Sequence, residues 1–205
     1  PLELNIEMTR RFVERMRGRV LVEGAVAEIA QAVEHADDPL TTPEDAERFY
    51  NETGVFLIVP DLGTEHRATA VAARYDGERA RAITARIGRK SVLHGSSSLP
   101  DGDLPRLAAD GIVKVNVWTI FERLGGQAVA RHILDELAHI LPLEERRALV
   151  EQGVLGSRML DDGDSSPQLD SLREERRRDV WQAAVVARMK FYLEQYNYAN
   201  WRAPY

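Results

Sequence analysis

The sequence predicts an α/β fold, with parallel β/α units over residues 1–124 and a helical extension over residues 125–205. Three observations carry this. Short apolar runs at Val55–Pro60, Ser91–His94 and Gly111–Thr119 each finish in, or lead into, a polar group. Segments of helical character separate them, the pattern of parallel strands joined by crossover helices. Beyond residue 125 the apolar residues recur at helical spacing only. A shorter run, Val20-Leu21-Val22, ending in Glu23, brings the strands to four. Four such units are half of an eight-stranded barrel, and alone they expose a strand edge on each side. Chemistry in such folds collects at the carboxyl ends of the strands, which puts His66, His94 and Asn116 on one rim.

Element by element, Ile6, Phe12, Val13 and Met16 mark an amphipathic helix over 4–17, stopped by Gly18. The strand at 19–23 follows. Residues 24–40 are ambiguous, with a turn at Asp37-Asp38-Pro39. Thr42-Pro43-Glu44-Asp45 is a helix start, with a Thr cap, a proline at the first position and acids in the first turn, and Gly54 closes that helix. The strand at 55–59 leads to the loop containing His66. A helix over 77–87, the strand at 91–94 with its serine-rich loop, a helix from Pro100 through Ala109 and the strand at 112–117 complete the β/α part. The extension holds helices at 125–140 and 143–151, a polar loop at 161–166 and a long helix at 168–197. The last carries Val180, Ala184, Ala187 and Phe191 on one stripe, widened by Trp181 and Tyr192. With Tyr196, Tyr198, Trp201 and Tyr205, these aromatics suit a core or a subunit contact, and a homodimer or higher homo-oligomer is expected through this arm.

Bulk composition narrows the function. A hydrophobic content of 44% supports a core, and a net charge of −6 describes an acidic protein. Basic residues do not gather with aromatics, so nucleic acid is not an expected partner. Glu174-Glu175-Arg176-Arg177-Arg178 reads as a solvated, salt-bridged helix face. The absence of cysteine excludes disulfides, thiolate metal sites and cysteine nucleophiles, and suits a cytoplasmic location. No apolar run reaches a membrane-spanning length and no signal peptide is visible, so no membrane association is expected. The chain opens Pro1-Leu2-Glu3-Leu4 and enters a helix at once, like the middle of a longer polypeptide.

Four motifs, in order and at matching spacing over residues 3–119, carry a resemblance. They are Asn5-Ile6-Glu7-Met8-Thr9 before Val22-Glu23; Thr42-Pro43-Glu44-Asp45-Ala46 with Phe49, Thr53-Gly54-Val55 and Gly63-Thr64-Glu65-His66; Leu93-His94-Gly95-Ser96-Ser97-Ser98-Leu99-Pro100; and Lys114-Val115-Asn116-Val117-Trp118-Thr119. Together they resemble the class II, metal-dependent fructose-bisphosphate aldolase family. The resemblance implies the C-terminal half of a (β/α)8 TIM barrel. It implies a reversible aldol cleavage of a phosphorylated ketose to a triose phosphate, a step of carbohydrate metabolism such as glycolysis, through a zinc-stabilised enediolate. It implies Zn2+, with room for a monovalent cation, held by His66 and His94. It assigns phosphate binding to Gly95, Ser97 and Thr119 and substrate contact to Asn116; from the residues themselves, Ser96 joins the phosphate loop, and Glu23, an acid at a strand end, suits either catalysis beside Asn116 or an ion pair with an arginine. Residue chemistry agrees: neutral imidazoles suit zinc, and small residues let main-chain N–H groups approach a phosphate.

The sequence also departs from the family pattern. The third histidine ligand and the catalytic aspartate belong to an N-terminal half that is missing here; His35-Ala36-Asp37-Asp38 mimics their motif at the wrong place. Glu23-Gly24-Ala25-Val26-Ala27 lacks the second acid and the glycine. Arg67 replaces a glycine and could offer charge to an anionic substrate, and Trp118 stands where Asp or Asn is frequent. These changes keep a second reading open: an aldolase-like module that binds a sugar phosphate or partner without catalysis. His132, Asp135 and His139 share a helical spacing that could hold a metal, although a surface or interface role fits them better.

Overall fold

The computed structural model describes residues 2–27, 40–64, 75–161 and 166–196. The chain divides into two compact units, Pro1–Ile120 with Tyr192–Tyr205, and Phe121–Phe191. The first unit is built on helix α1 (Leu2–Met16), strand β1 (Glu23–Ala25), helix α2 (Pro43–Thr53), strand β2 (Leu57–Val59), helix α3 (Gly77–Ile87), strand β3 (Ser91–Leu93) and strand β4 (Ile112–Val115).

The four strands form one sheet in the order β1-β2-β3-β4, and every pair is parallel. Neighbours in sequence are neighbours in the sheet, with no reversal of the winding direction, and the helices α1, α2 and α3 pack in the same sequential order. The α/β architecture with a parallel sheet is therefore as expected. Strand β3 is buried along its whole length, as a strand covered on both faces must be. The core gathers Phe49 and Ala46 of α2, Ile83 of α3, Ile58 of β2, and Val92 and Leu93 of β3, none measurably exposed.

The local signals explain the helices. The Thr42 side chain accepts the Asp45 N–H at 3.0 Å, Pro43 opens α2, and Gly54 ends it at φ 68° with its N–H on the Tyr50 carbonyl. Asp76 caps α3 by accepting the Arg79 N–H at 2.9 Å. Gly111 starts β4 at φ 98°, and a β-carbon there would stand 1.9 Å from Thr84 Oγ1. Only glycine lets the chain pass so close to α3 in that conformation.

Three elements differ from expectation. The Val20-Leu21-Val22 run is not the strand: Val20 and Leu21 are exposed, and pairing begins at Glu23, against Leu57. Glu23 thus opens β1 instead of closing it. The stretch expected as a helix from Pro100 is a 3-10 helix, Asp101–Arg106, because Pro105 inside it removes a donor. The expected helix over 168–197 is two, α7 (Leu169–Leu172) and α8 (Glu174–Gln195), parted by extended backbone at Arg173.

The second unit is helical. It holds most of α4 (Thr119–Asp135), then α5 (Leu137–Ile140), α6 (Leu143–Glu151), α7 and most of α8. Gly125 of α4 lies against the Trp181 indole, and a β-carbon there would stand 2.1 Å from Nε1. Arg146 is fully buried and donates to the Met159 carbonyl at 2.8 Å. The expected single helix over 125–140 breaks after Asp135, so His139 belongs to α5 and does not share a helix with His132 and Asp135. Its Nδ1 faces Gln168 Nε2 at 3.1 Å. No helix among the described residues is long and apolar enough to cross a membrane.

Candidate functional site

The site is assembled where β1, β3 and β4 approach one another. His94 follows the buried end of β3 and Asn116 follows β4; the Asn116 N–H donates to the Leu93 carbonyl at 2.9 Å, which locks the two strand ends together. Glu23, at the start of β1, reaches across to both. Its Oε1 lies 3.1 Å from His94 Nε2 and accepts from Asn116 Nδ2 at 3.1 Å, and Asn116 Nδ2 also contacts His94 Nε2. Lys114 Nζ donates to the other carboxylate oxygen at 2.6 Å.

Burial works to raise the Glu23 carboxyl. Its contacts with Lys114, His94 and Asn116, and the Lys114 charge, outweigh burial and hold it below the usual carboxylate range. Glu23 is therefore an anion at neutral pH.

Beside this cluster lies a pocket of about 450 Å3, lined by His94, Gly95, Ser96, Ser97, Val115, Asn116, Val117, Trp118 and Thr119. Gly95 sits at φ 69° and starts a 3-10 turn over Ser96–Ser98. The N–H groups of Gly95, Ser96 and Ser97 meet no main-chain carbonyl among the described residues. Successive free N–H groups after a left-handed residue form a concavity suited to an anion. The three serines differ in what their hydroxyls do. Ser96 donates to the Asn116 carbonyl at 3.0 Å and Ser98 to the Gly95 carbonyl at 2.7 Å, so both stitch the loop. Ser97 has no such bond among the described residues and lines the pocket.

The surrounding loops are pinned. Thr64 Oγ1 donates to the His94 carbonyl at 2.7 Å, tying the segment after β2 to the end of β3. Asn5 of α1 donates to the carbonyls of Ala25 and Val26 at 2.8 and 2.9 Å, fixing the far end of β1.

Of the expected site residues, the fold brings Glu23, His94, Gly95, Ser96, Ser97, Asn116 and Thr119 to one place. His66 and Arg67 lie outside the described residues, as do His35, Asp37 and Asp38. Lys114, present in the sequence only as part of the fourth motif, joins the site as well: it stands two residues before Asn116, and strand alternation carries both to the same side. No group of three or more His, Cys, Asp or Glu side chains among the described residues could hold a metal. A donor suited to zinc is present, the His94 imidazole, whose Nε2 meets Glu23 Oε1 and the Asn116 amide. As it stands the pair is hydrogen-bonded, so a cation held by the His94 imidazole would take the place of that contact.

Comparison with known proteins bears on the family and the fold. The family model "Fructose-bisphosphate aldolase class-II" matches residues 1–189. The D-tagatose-1,6-bisphosphate aldolase subunit GatY of Klebsiella oxytoca is 30% identical over 125 residues, covering 58% of this chain and 44% of that protein. The chain thus spans less than half the length of this relative. Among solved structures, fructose-bisphosphate aldolase of Campylobacter jejuni superposes with a TM-score of 0.68 at 18% identity, covering 96% of this chain and 57% of that one. The YdjI aldolase of Escherichia coli K12 does so with a TM-score of 0.57 at 19% identity, covering 94% and 56%.

Proposed function

The chain belongs to the class-II fructose-bisphosphate aldolase family, and from that premise we propose that it supplies the phosphate-binding and metal-binding part of an aldolase acting on a phosphorylated ketose. The observation that carries the reading is the meeting of Glu23, His94 and Asn116 beside a pocket whose floor is the Gly95–Ser97 turn. His94, with His66, would hold a zinc ion. When bound there, it would supply Lewis-acid polarisation of the substrate carbonyl.

The chain's own residues do the rest. The N–H groups of Gly95–Ser97, with the hydroxyls of Ser97 and Thr119, bind the phosphate and so fix the reacting carbons above the strand ends. Asn116 orients a substrate oxygen through its amide. Glu23, kept anionic by Lys114, takes up a proton from a substrate hydroxyl. The carbon–carbon bond next to that hydroxyl then breaks, its electron pair moving toward the ketone; an aldehyde leaves, and return of one proton to the carbon that lost the bond gives the triose phosphate. Strands lying beyond the open edges of β1 and β4 would complete a barrel and bring a third ligand and a further acid–base group. They would come from a segment outside this sequence or from another chain. Homo-oligomerisation through the helical part and a cytoplasmic setting accompany this reading.

The test is release of triose phosphate from ketose phosphates, measured with zinc present, for the chain as it stands and together with the remainder of the barrel. Release that disappears in Asn116→Ala supports the reading. A second reading rests on one observation, the lack of a three-ligand cluster among the described residues: the chain holds a sugar phosphate without cleaving it. Ligand-induced stabilisation with no product under either condition favours it.

A further inference from the structure

Resting on the aldolase reading, we infer that Trp118 selects the substrate, favouring a ketose that carries one phosphate over one that carries a phosphate at each end. Trp118 lines the pocket two residues after Asn116 and is 63% exposed, a large apolar side chain left open to solvent at the site itself. Val115 and Val117 line the same pocket. Among the described residues the pocket wall contains no lysine or arginine. Lys114, the cation nearest in sequence, is committed to Glu23 at 2.6 Å.

Among the described residues the pocket therefore has one anion-binding feature, the Gly95–Ser97 turn, and an apolar aromatic wall. The face of an indole carries negative electrostatic potential, so it repels a phosphate dianion and attracts the polarised C–H face of a sugar. A substrate whose phosphate sits on the turn presents its other end to this wall. A hydroxymethyl or methyl end can stack there. A second phosphate placed against it would lose its hydration and meet no cation among the described lining residues. Trp118 acts as a specificity residue and takes no part in bond breaking.

The experiment is calorimetric binding of fructose 1-phosphate and fructose 1,6-bisphosphate to the full chain with zinc present, for the wild type, Trp118→Ala and Trp118→Phe. The exposure of Trp118 makes both substitutions compatible with folding. The wild type is expected to bind the monophosphate at least as tightly as the bisphosphate. Trp118→Ala should shift the ratio of the two affinities toward the bisphosphate by about 2- to 10-fold, the value of one aromatic contact, and Trp118→Phe should restore most of it. A ratio unchanged in Trp118→Ala, or a wild type that prefers the bisphosphate, overturns the inference and leaves the aldolase reading standing. Failure of both compounds to bind overturns the aldolase reading and takes the inference with it.

Discussion

Glu23 Oε1 and His94 Nε2 stand 3.1 Å apart, although 71 residues separate them in the chain. The contact exists because β1 and β3 flank β2 in one parallel sheet and because pairing of β1 starts at Glu23 itself. Asn116 and Lys114, from β4 and its end, close on the same carboxylate. One acid thus draws groups from two other strands to its own, and the first prediction concerns what it does there.

Glu23→Gln keeps the shape but removes the charge. Turnover of a ketose phosphate should fall by about 10²-fold or more, the usual scale for a lost acid–base group. Lys114→Met should also reduce turnover while lowering stability by less than about 1 kcal/mol, because the ion pair is partly open to solvent, with side chains 49% and 24% exposed. Steady-state kinetics and urea denaturation of the same two variants separate the effects. A Lys114→Met protein with unchanged kinetics would show that the pair is decoration.

Gly111→Ala should destabilise the first unit by about 2–4 kcal/mol, since it combines a left-handed backbone with a clash against Thr84. A urea midpoint within error of the wild type would mean that β4 does not pass α3 as closely as described.

In the second unit, Gly125→Ala should cost about 1–3 kcal/mol, because the new methyl group meets the Trp181 ring at overpacking distance. Replacing Trp181 by Leu in that background should recover part of the loss. Thermal melts of the single and double variants give the answer, and strict additivity would deny the contact.

Asp76 carries a pH dependence with a definite sign. Burial works to raise its carboxyl, but the Arg79 main-chain N–H and guanidinium outweigh it and hold it below the ordinary aspartate range. A depressed native value stabilises the fold above the unfolded pKa, and that contribution disappears as pH falls through the native one. Asp76→Ala should therefore cost about 1 kcal/mol near neutral pH, as loss of a helix cap does. The difference from wild type should shrink on acidification through the aspartate range. Urea midpoints across that range would contradict this by showing a constant difference.

How much of this could be read from the sequence depends on how local the signal was. Helix α2 was legible because its start and stop are written in adjacent residues, Thr42-Pro43 and Gly54. Strand β1 was misplaced because Val20 and Leu21 look like a strand yet have nothing to pack on, while the true strand is Glu-Gly-Ala and is defined by its partner Leu57–Val59. Gly24 serves there because a β-carbon would stand 2.9 Å from Val55 and 3.0 Å from Phe49, a constraint visible only in three dimensions. The break at Arg173 has no glycine or proline to announce it. At the site, His94, the Gly95–Ser97 turn and Asn116 were found through short motifs at strand ends. Lys114 stood in one of those motifs without a role, although strand alternation from Asn116 would have pointed to one.

The most direct test of the account is the zinc retained after exhaustive dialysis by the wild type, His94→Ala and Glu23→Ala, measured by elemental analysis and set beside circular dichroism to confirm folding. Up to about one zinc per wild-type chain is expected, with a marked loss in His94→Ala and a smaller loss in Glu23→Ala, whose carboxylate positions the His94 ring, and with the fold unchanged. Zinc retained equally by wild type and His94→Ala, or by neither, would contradict a metal site at the meeting point of β1, β3 and β4.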